Sequence, residues 1–216
     1  MKKVAVILSG CGVYDGSEIH EAVLTLQAIE RHGASWHCFA PNVEQRQVIN
    51  HINGELMSES RNVLVESARI ARGHISDVVE LSAQDYDAIA LPGGFGMAKN
   101  ITDFATQGAN CQLNDDVATA CRDFATTGKP AGYICISPHI IPMIYPHGVE
   151  GTIGNDTDTA AGFTALGGQH IDCPVEDYVL DQTNNVLSTP AYMLASSVSE
   201  AATGIDRLVK KLVELA

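Results

Sequence analysis

The chain has 216 residues, 45% of them hydrophobic and 18% charged, with a formal net charge of −13. A length of this order supports a substantial core, and one α/β domain over residues 1–216 is the expectation. So acidic a chain lacks the clustered Lys and Arg that a nucleic-acid backbone or an anionic membrane surface demands, and no stretch approaches transmembrane length.

The start, MKKVAVILSG, imitates a signal peptide, but its apolar run ends at Ser9-Gly10; a buried parallel strand over Val4 to Leu8 explains it better. A glycine-rich turn follows. The spacing of Ile19, Val23, Leu26 and Ile29 predicts a helix from about Ser17 to His32, with Ser17 as N-cap and Gly33 closing it. Ser35 to Ala40 reads as the second strand, stopped by Pro41. From Asn42 to Gly73 the pattern is polar and helical, with a helix expected over Ser58 to Arg72. Tyr86 to Leu91 is another buried strand and ends at Pro92-Gly93-Gly94. Phe95 to Gln112 reads as a long loop, a length associated with lids and site walls.

A helix is predicted from Leu113 to Thr127, then a strand from Ala131 to Cys135 and a short helix from about Ser137 to Tyr145. Tyr178 to Asp181 and Val186 to Ser188 flank Asn184-Asn185 as a hairpin. The last helix is expected from Met193 to Leu215, with Val198, Ile205, Leu208, Leu212 and Leu215 facing inward. Strands alternating with helices imply a doubly wound, mostly parallel sheet flanked by helices.

In such sheets ligands bind beyond the carboxyl ends of the strands. Cys135 falls where a strand, a tight turn and a helix coincide, the setting of a nucleophile elbow. An adjoining helix N-terminus would favour its thiolate. The other cysteines, Cys11, Cys38, Cys111, Cys121 and Cys173, lack this setting, and Cys38, Cys121 and Cys173 are expected to be buried and inert. No C-x-x-C pair occurs and a chain of this size needs no disulfides, so reduced thiols in a cytoplasmic protein are expected.

Gly93 and Gly94 allow close backbone approach and aim N–H groups at a developing oxyanion. Glu18 and Glu21 lie in the first turns of the first helix, and either one can supply an acid above the strand ends. His20-Glu21 begins like a zincin helix, but Leu24 replaces the second histidine. The histidines and cysteines show no metal-ligand spacing, and Asp156 with Asp158 reads as a solvated loop, so neither a metal nor another cofactor is expected.

The stretches SGCGVYDGSEIHEAV (Ser9 to Val23), LPGGFGMAKN (Leu91 to Asn100), CISP (Cys135 to Pro138), IGNDTDTA (Ile153 to Ala160) and TPAYMLA (Thr189 to Ala195) together carry a resemblance. They resemble the ElbB branch of the ThiJ/PfpI superfamily, glyoxalase-like proteins also described as isoprenoid biosynthesis proteins with an amidotransferase-like domain. The resemblance implies a class I glutamine amidotransferase-like, flavodoxin-like sandwich and, commonly, a homodimer. It implies Cys135 as nucleophile, backbone N–H groups of Gly94 and Ile136 at the oxyanion, and Glu21 as the acid paired with the thiol, with Glu18 its competitor.

Two departures restrict the chemistry. Ile136 stands where many relatives have a histidine after the nucleophile, and Asn155 where others carry a downstream one. No His-x-Glu pair follows Cys135, so neither a Cys–His hydrolase nor a glutaminase is expected. The resemblance implies instead a cofactor-independent glyoxalase that converts small 2-oxoaldehydes such as glyoxal and methylglyoxal to 2-hydroxy acids through a cysteine hemithioacetal. The alternative is a regulatory or partner-binding protein linked to isoprenoid metabolism that uses Cys135 as a redox sensor.

Overall fold

The computed structural model describes residues 1–216, and its centre is a seven-stranded sheet. Along the chain come β1 (Lys3–Ile7), α1 (Ile19–Arg31), β2 (Ser35–Ala40), α2 (Val63–Ile70), β3 (Ile75–Asp77) and β4 (Ala88–Leu91). After them come a π-helical turn (Met97–Ile101), α3 (Phe104–Gln107), α4 (Asp115–Thr126), β5 (Ala131–Ile134), a 3₁₀ turn (Ser137–Ile140) and α5 (Ile141–Ile144). The chain ends with β6 (Glu150–Gly151), α6 (Thr157–Ala165), β7 (Gln169–His170), β8 (Val179–Asp181), β9 (Val186–Thr189) and α7 (Val198–Leu215).

The sheet order is β3-β2-β1-β4-β5-β9-β8, parallel throughout except for the β8–β9 hairpin, and β6–β7 form a separate two-stranded piece. This is the doubly wound architecture expected. The chain first winds outward through β2 and β3, then returns to β4 on the other side of β1, so the connections diverge from the carboxyl ends of β1 and β4.

Alternation along the central strands feeds two cores. Val4, Val6, Leu8, Ala88 and Ala90 face α1 and α7, whereas Ala5, Ile7, Ile89 and Leu91 pack with Val117 and Phe124 of α4. The small residues on the α1–α7 side let those helices lie close: a Cβ added at Gly132 would stand 2.8 Å from Leu208 Cδ2.

Several elements differ from the sequence expectation. In α1 the predicted inner residues Ile19 and Val23 are 43% and 49% exposed, while Glu21, Ala22 and Thr25 are buried. The first two turns of α1 face the strand ends rather than the hydrocarbon core, so hydrophobic spacing misplaced the inner face. The N-cap is Glu18, not Ser17; Ser17 Oγ instead accepts from the Ser9 N–H at 2.8 Å.

The Ser58–Arg72 helix shortens to α2, and residues 42–62 run irregularly, tied by isolated pairings such as Ile49 with Leu56. The predicted 95–112 loop is helical turns that bury Met97, Ala98 and Ile101, making it a packed wall. Asp156 is exposed as expected and caps α6, accepting from Thr159 N at 2.8 Å, whereas Asp158 lies in the first turn of that helix and not in a loop. The terminal helix starts at Val198, which is 45% exposed, and its buried face is Ala201, Ile205, Leu208, Val209 and Leu212.

Candidate active site

β5 ends at Ile134, and the next residue, Cys135, has φ +64°. A non-glycine residue in that region is strained by about 1–3 kcal/mol and persists only where its surroundings dictate it. Here the Cys135 N–H donates to Thr189 O at 2.9 Å, extending the β5–β9 ladder through the kink. Beyond it, Ser137 Oγ donates to Pro92 O at 2.8 Å, which ties the turn after β5 to the turn after β4. His139, fully buried, sits 2.7 Å through Nδ1 from Ile136 O, and its Nε2 lies 2.8 Å from Thr102 Oγ1. Burial lowers His139 to about 4, so the ring is neutral and Nδ1–H donates to the carbonyl, fixing the Ile136 peptide.

These constraints aim the sulfur of Cys135 at three groups. The N–H groups of Gly94 and Ile136 and the carboxyl of Glu21 all lie near enough to the sulfur to act on its ionisation. Glu21 reaches it from the buried face of α1, fully out of solvent, and is gripped by two backbone donors: Gly93 N–H to Oε2 at 3.0 Å and Tyr192 N–H to Oε1 at 3.1 Å.

Gly93 therefore needs correcting as an oxyanion donor. Its N–H is spent on Glu21 and its carbonyl accepts from Glu18 N at 2.9 Å, so it holds the carboxylate and leaves Gly94 and Ile136 facing the sulfur. A side chain at Gly93 would be wedged between the pair, its Cβ 2.5 Å from Cys135 Cβ and 2.6 Å from Glu21 Oε2.

Burial dominates the electrostatics. It raises the Glu21 carboxyl to about 8, against the pull of the Tyr192 donor, the Cys135 hydrogen bond and the Gly93 donor. Burial first, then the Glu21 charge, pushes the Cys135 thiol well above the ordinary thiol range despite the Gly94 and Ile136 donors. The expected thiolate-favouring helix does not materialise. Cys135 leads into a four-residue 3₁₀ turn and a four-residue helix, too short for an appreciable dipole. At neutral pH the pair rests protonated, a neutral thiol against a carboxylic acid.

Glu18 takes a different place from Glu21. Its Oε2 accepts from Glu21 N at 2.7 Å as the helix cap, and it faces a pocket of about 380 Å³. Val13, Gly94, Phe95, Ile136, Tyr192 and Met193 share that lining with Cys135, which is 7% exposed into it. Tyr192 was not foreseen as a site residue. Its contribution is a backbone donor, which no side-chain pattern announces; the local signal is the turn at Ala191, where φ is +44°.

A mostly parallel sheet that presents a strained cysteine at the carboxyl end of β5, next to the β1–β4 switch, has the class I glutamine amidotransferase-like fold, shared with DJ-1 and ThiJ/PfpI proteins. DJ-1beta of Drosophila melanogaster superimposes with a TM-score of 0.56 at 16% identity over 100% of this chain and 95% of its own, a likeness of fold. The isoprenoid biosynthesis protein with amidotransferase-like domain from Ehrlichia chaffeensis superimposes with a TM-score of 0.93 at 38% identity, over 100% of this chain and 99% of that one.

Among sequences, the rat (Rattus norvegicus) ES1 protein homolog, mitochondrial, is 44% identical across 99% of this chain and 84% of its own length. The human (Homo sapiens) glutamine amidotransferase-like class 1 domain-containing protein 3, mitochondrial, is 44% identical over 99% of this chain and 83% of its own. The chain belongs to this family of ES1, glutamine amidotransferase-like class 1 domain proteins. No family model matches it.

The relatives overturn the expected cytoplasmic location, since they are named mitochondrial proteins. The expectation rested on the lack of a C-x-x-C pair and on a chain long enough to need no disulfides, and reduced thiols are compatible with more than one compartment.

Proposed function

We propose that the protein is a cofactor-independent glyoxalase acting on 2-oxoaldehydes. The observation that carries the reading is the buried Glu21–Cys135 pair beneath two converging backbone donors. When the pair has lost one proton, Glu21 accepts the thiol proton as the sulfur adds to the aldehyde carbon. The carbonyl oxygen becomes an oxyanion beside the N–H groups of Gly94 and Ile136, then a hemithioacetal hydroxyl.

Glu21 next moves a proton from the former aldehyde carbon to its neighbour through an enediol, leaving a thioester of the 2-hydroxy acid. One water cleaves the thioester, releasing glycolate or lactate and returning the thiol. Carbon and electrons balance internally, because one carbon is oxidised as the next is reduced.

The redox-sensor reading is less well supported. Such sensors depend on a thiol ionised at neutral pH, and burial and Glu21 act on Cys135 in the opposite sense.

The test is kcat/KM for glyoxal and methylglyoxal on metal-free protein, with Cys135→Ala and Glu21→Gln alongside. A value above ~10⁴ M⁻¹s⁻¹, the low end for dedicated enzymes, supports the reading. Glu21→Gln should lose ~10²–10⁴-fold with an unchanged circular-dichroism spectrum. Turnover that survives Cys135→Ala defeats the proposal.

A further inference from the structure

The pocket above Cys135 has a one-sided charge. Its lining contains two acids, Glu18 and Asp156, and no lysine or arginine. Glu18 Oε2 is engaged as the α1 cap, but Oε1 receives no hydrogen bond and lies 3.7 Å from His20 Nδ1, which is itself paired with Tyr192 Oη at 2.9 Å. On the opposite wall Asp156 caps α6, and the Thr159 hydroxyl and N–H hold its carboxyl below the usual range.

A helix N-terminus carries about half a positive charge, so a full negative charge seated on it leaves that wall net negative. Lys99 comes near, but its Nζ donates to Tyr14 O at 2.8 Å and lies 5.4 Å from the centre of the Phe95 ring, outside the lining. The remaining wall is apolar, from Val13, Phe95, Ile136 and Met193. The volume, about 380 Å³, falls in the range of pockets for sizeable organic ligands, well beyond the needs of a two- or three-carbon aldehyde.

We infer that this pocket selects uncharged carbonyl compounds bearing an apolar substituent and turns away anionic ones, such as 2-oxo acids and phosphorylated carbonyls, through Glu18 and Asp156. The inference rests on Cys135 being the reacting nucleophile, as the proposed function requires. It goes further by naming which aldehydes reach it.

Alkylation of Cys135 tests the filter without any turnover assay. Rates with iodoacetamide and iodoacetate, which differ in charge, are measured at pH 7.5 by peptide mass mapping at Cys135. Their ratio is divided by that of N-acetylcysteine, to remove intrinsic reactivity. The normalised ratio should favour iodoacetamide by about tenfold or more, the scale of two unit charges acting through a partly aqueous pocket. Glu18→Gln and Asp156→Asn, which keep both capping oxygens, should each reduce it about threefold. N-benzyl iodoacetamide should react at least as fast as iodoacetamide on the same normalised scale.

A normalised charge ratio near one overturns the filter and leaves the nucleophile standing. A ratio that neither variant moves overturns the assignment to Glu18 and Asp156. Exclusion of the benzyl reagent overturns the apolar specificity. If Cys135 reacts with none of the reagents at pH 7.5 and still with none at pH 9, where the pair has lost a proton, the nucleophile reading falls and the inference falls with it.

Discussion

At Glu21 the cost of burying a carboxyl meets the need for a base beside a thiol. Two backbone donors and the sulfur partly compensate the burial, and the carboxyl still titrates near 8. Because the folded value lies above that of the unfolded chain, the folded protein holds a proton that the unfolded chain has lost between about pH 4.5 and 8. The stabilising contribution of Glu21 is therefore complete below about 4.5 and is lost as pH rises through about 8.

Buried His139, lowered to about 4, acts in the opposite sense: its contribution is present above the ordinary imidazole value and disappears as pH falls through about 4. Comparison with Glu21→Gln cancels the histidine. The stability of the native chain relative to that variant, from urea unfolding, should decline between pH 5 and 8.5; a constant difference would mean Glu21 is not perturbed. The same titration governs the proposed chemistry. The pair must lose one proton before the sulfur attacks, so kcat/KM for methylglyoxal should climb with an apparent pKa near 8. A rate already flat from pH 6 upward contradicts this.

Among the elements, the turn after β4 brings the site together. Its glycines bond to α1 on one side and face β5 on the other. Gly94 has φ +102°, and a Cβ there would collide with the backbone of Gly16, Ser17 and Glu18. Backbone atoms at a helix start cannot yield as a side-chain tip can. Gly94→Ala should thus cost more than about 2 kcal/mol in denaturant unfolding and displace the N–H aimed at the sulfur. A neutral effect on both stability and Cys135 alkylation would show that the turn is more pliant than its packing implies. The placement of α1 follows from the same contact, because its start borders the pocket above Cys135 and its later turns cover the core.

Over the whole molecule, 26 acidic residues against 13 basic ones produce a net charge of −13, which repels itself in the compact state. Few ion pairs offset it. Those of α1 with α7, Arg31 and His32 with Asp206, are partly exposed and contribute little. Raising NaCl from 10 to 300 mM should therefore increase the melting temperature, since screening weakens repulsion more than it weakens a few surface pairs. A falling melting temperature would indicate that specific pairs dominate.

From residue types and spacing alone, the parallel sheet, six of its seven strands to within a residue or two, and the singular position of Cys135 were all legible; the short edge strand β3 was not. Buried parallel strands are unbroken aliphatic runs, and a cysteine between such a run and a turn has few places to go. The choice of Glu21 over Glu18 came from resemblance, and only tertiary structure separates them: one turn of α1 directs Glu21 inward to the sulfur and leaves Glu18 as cap and pocket wall. The parts of Gly93, Tyr192 and His139 were likewise settled only by folding. Gly93 and Tyr192 act through backbone groups whose partner lies tens of residues away, and the His139 ring, though bonded to nearby Ile136, is held by distant Thr102; no local pattern encodes those long separations. The state of the thiol was decided at the same level. Sequence neighbours pointed to ionisation, but desolvation depends on everything packed around the sulfur, and at this depth it outweighs two N–H donors.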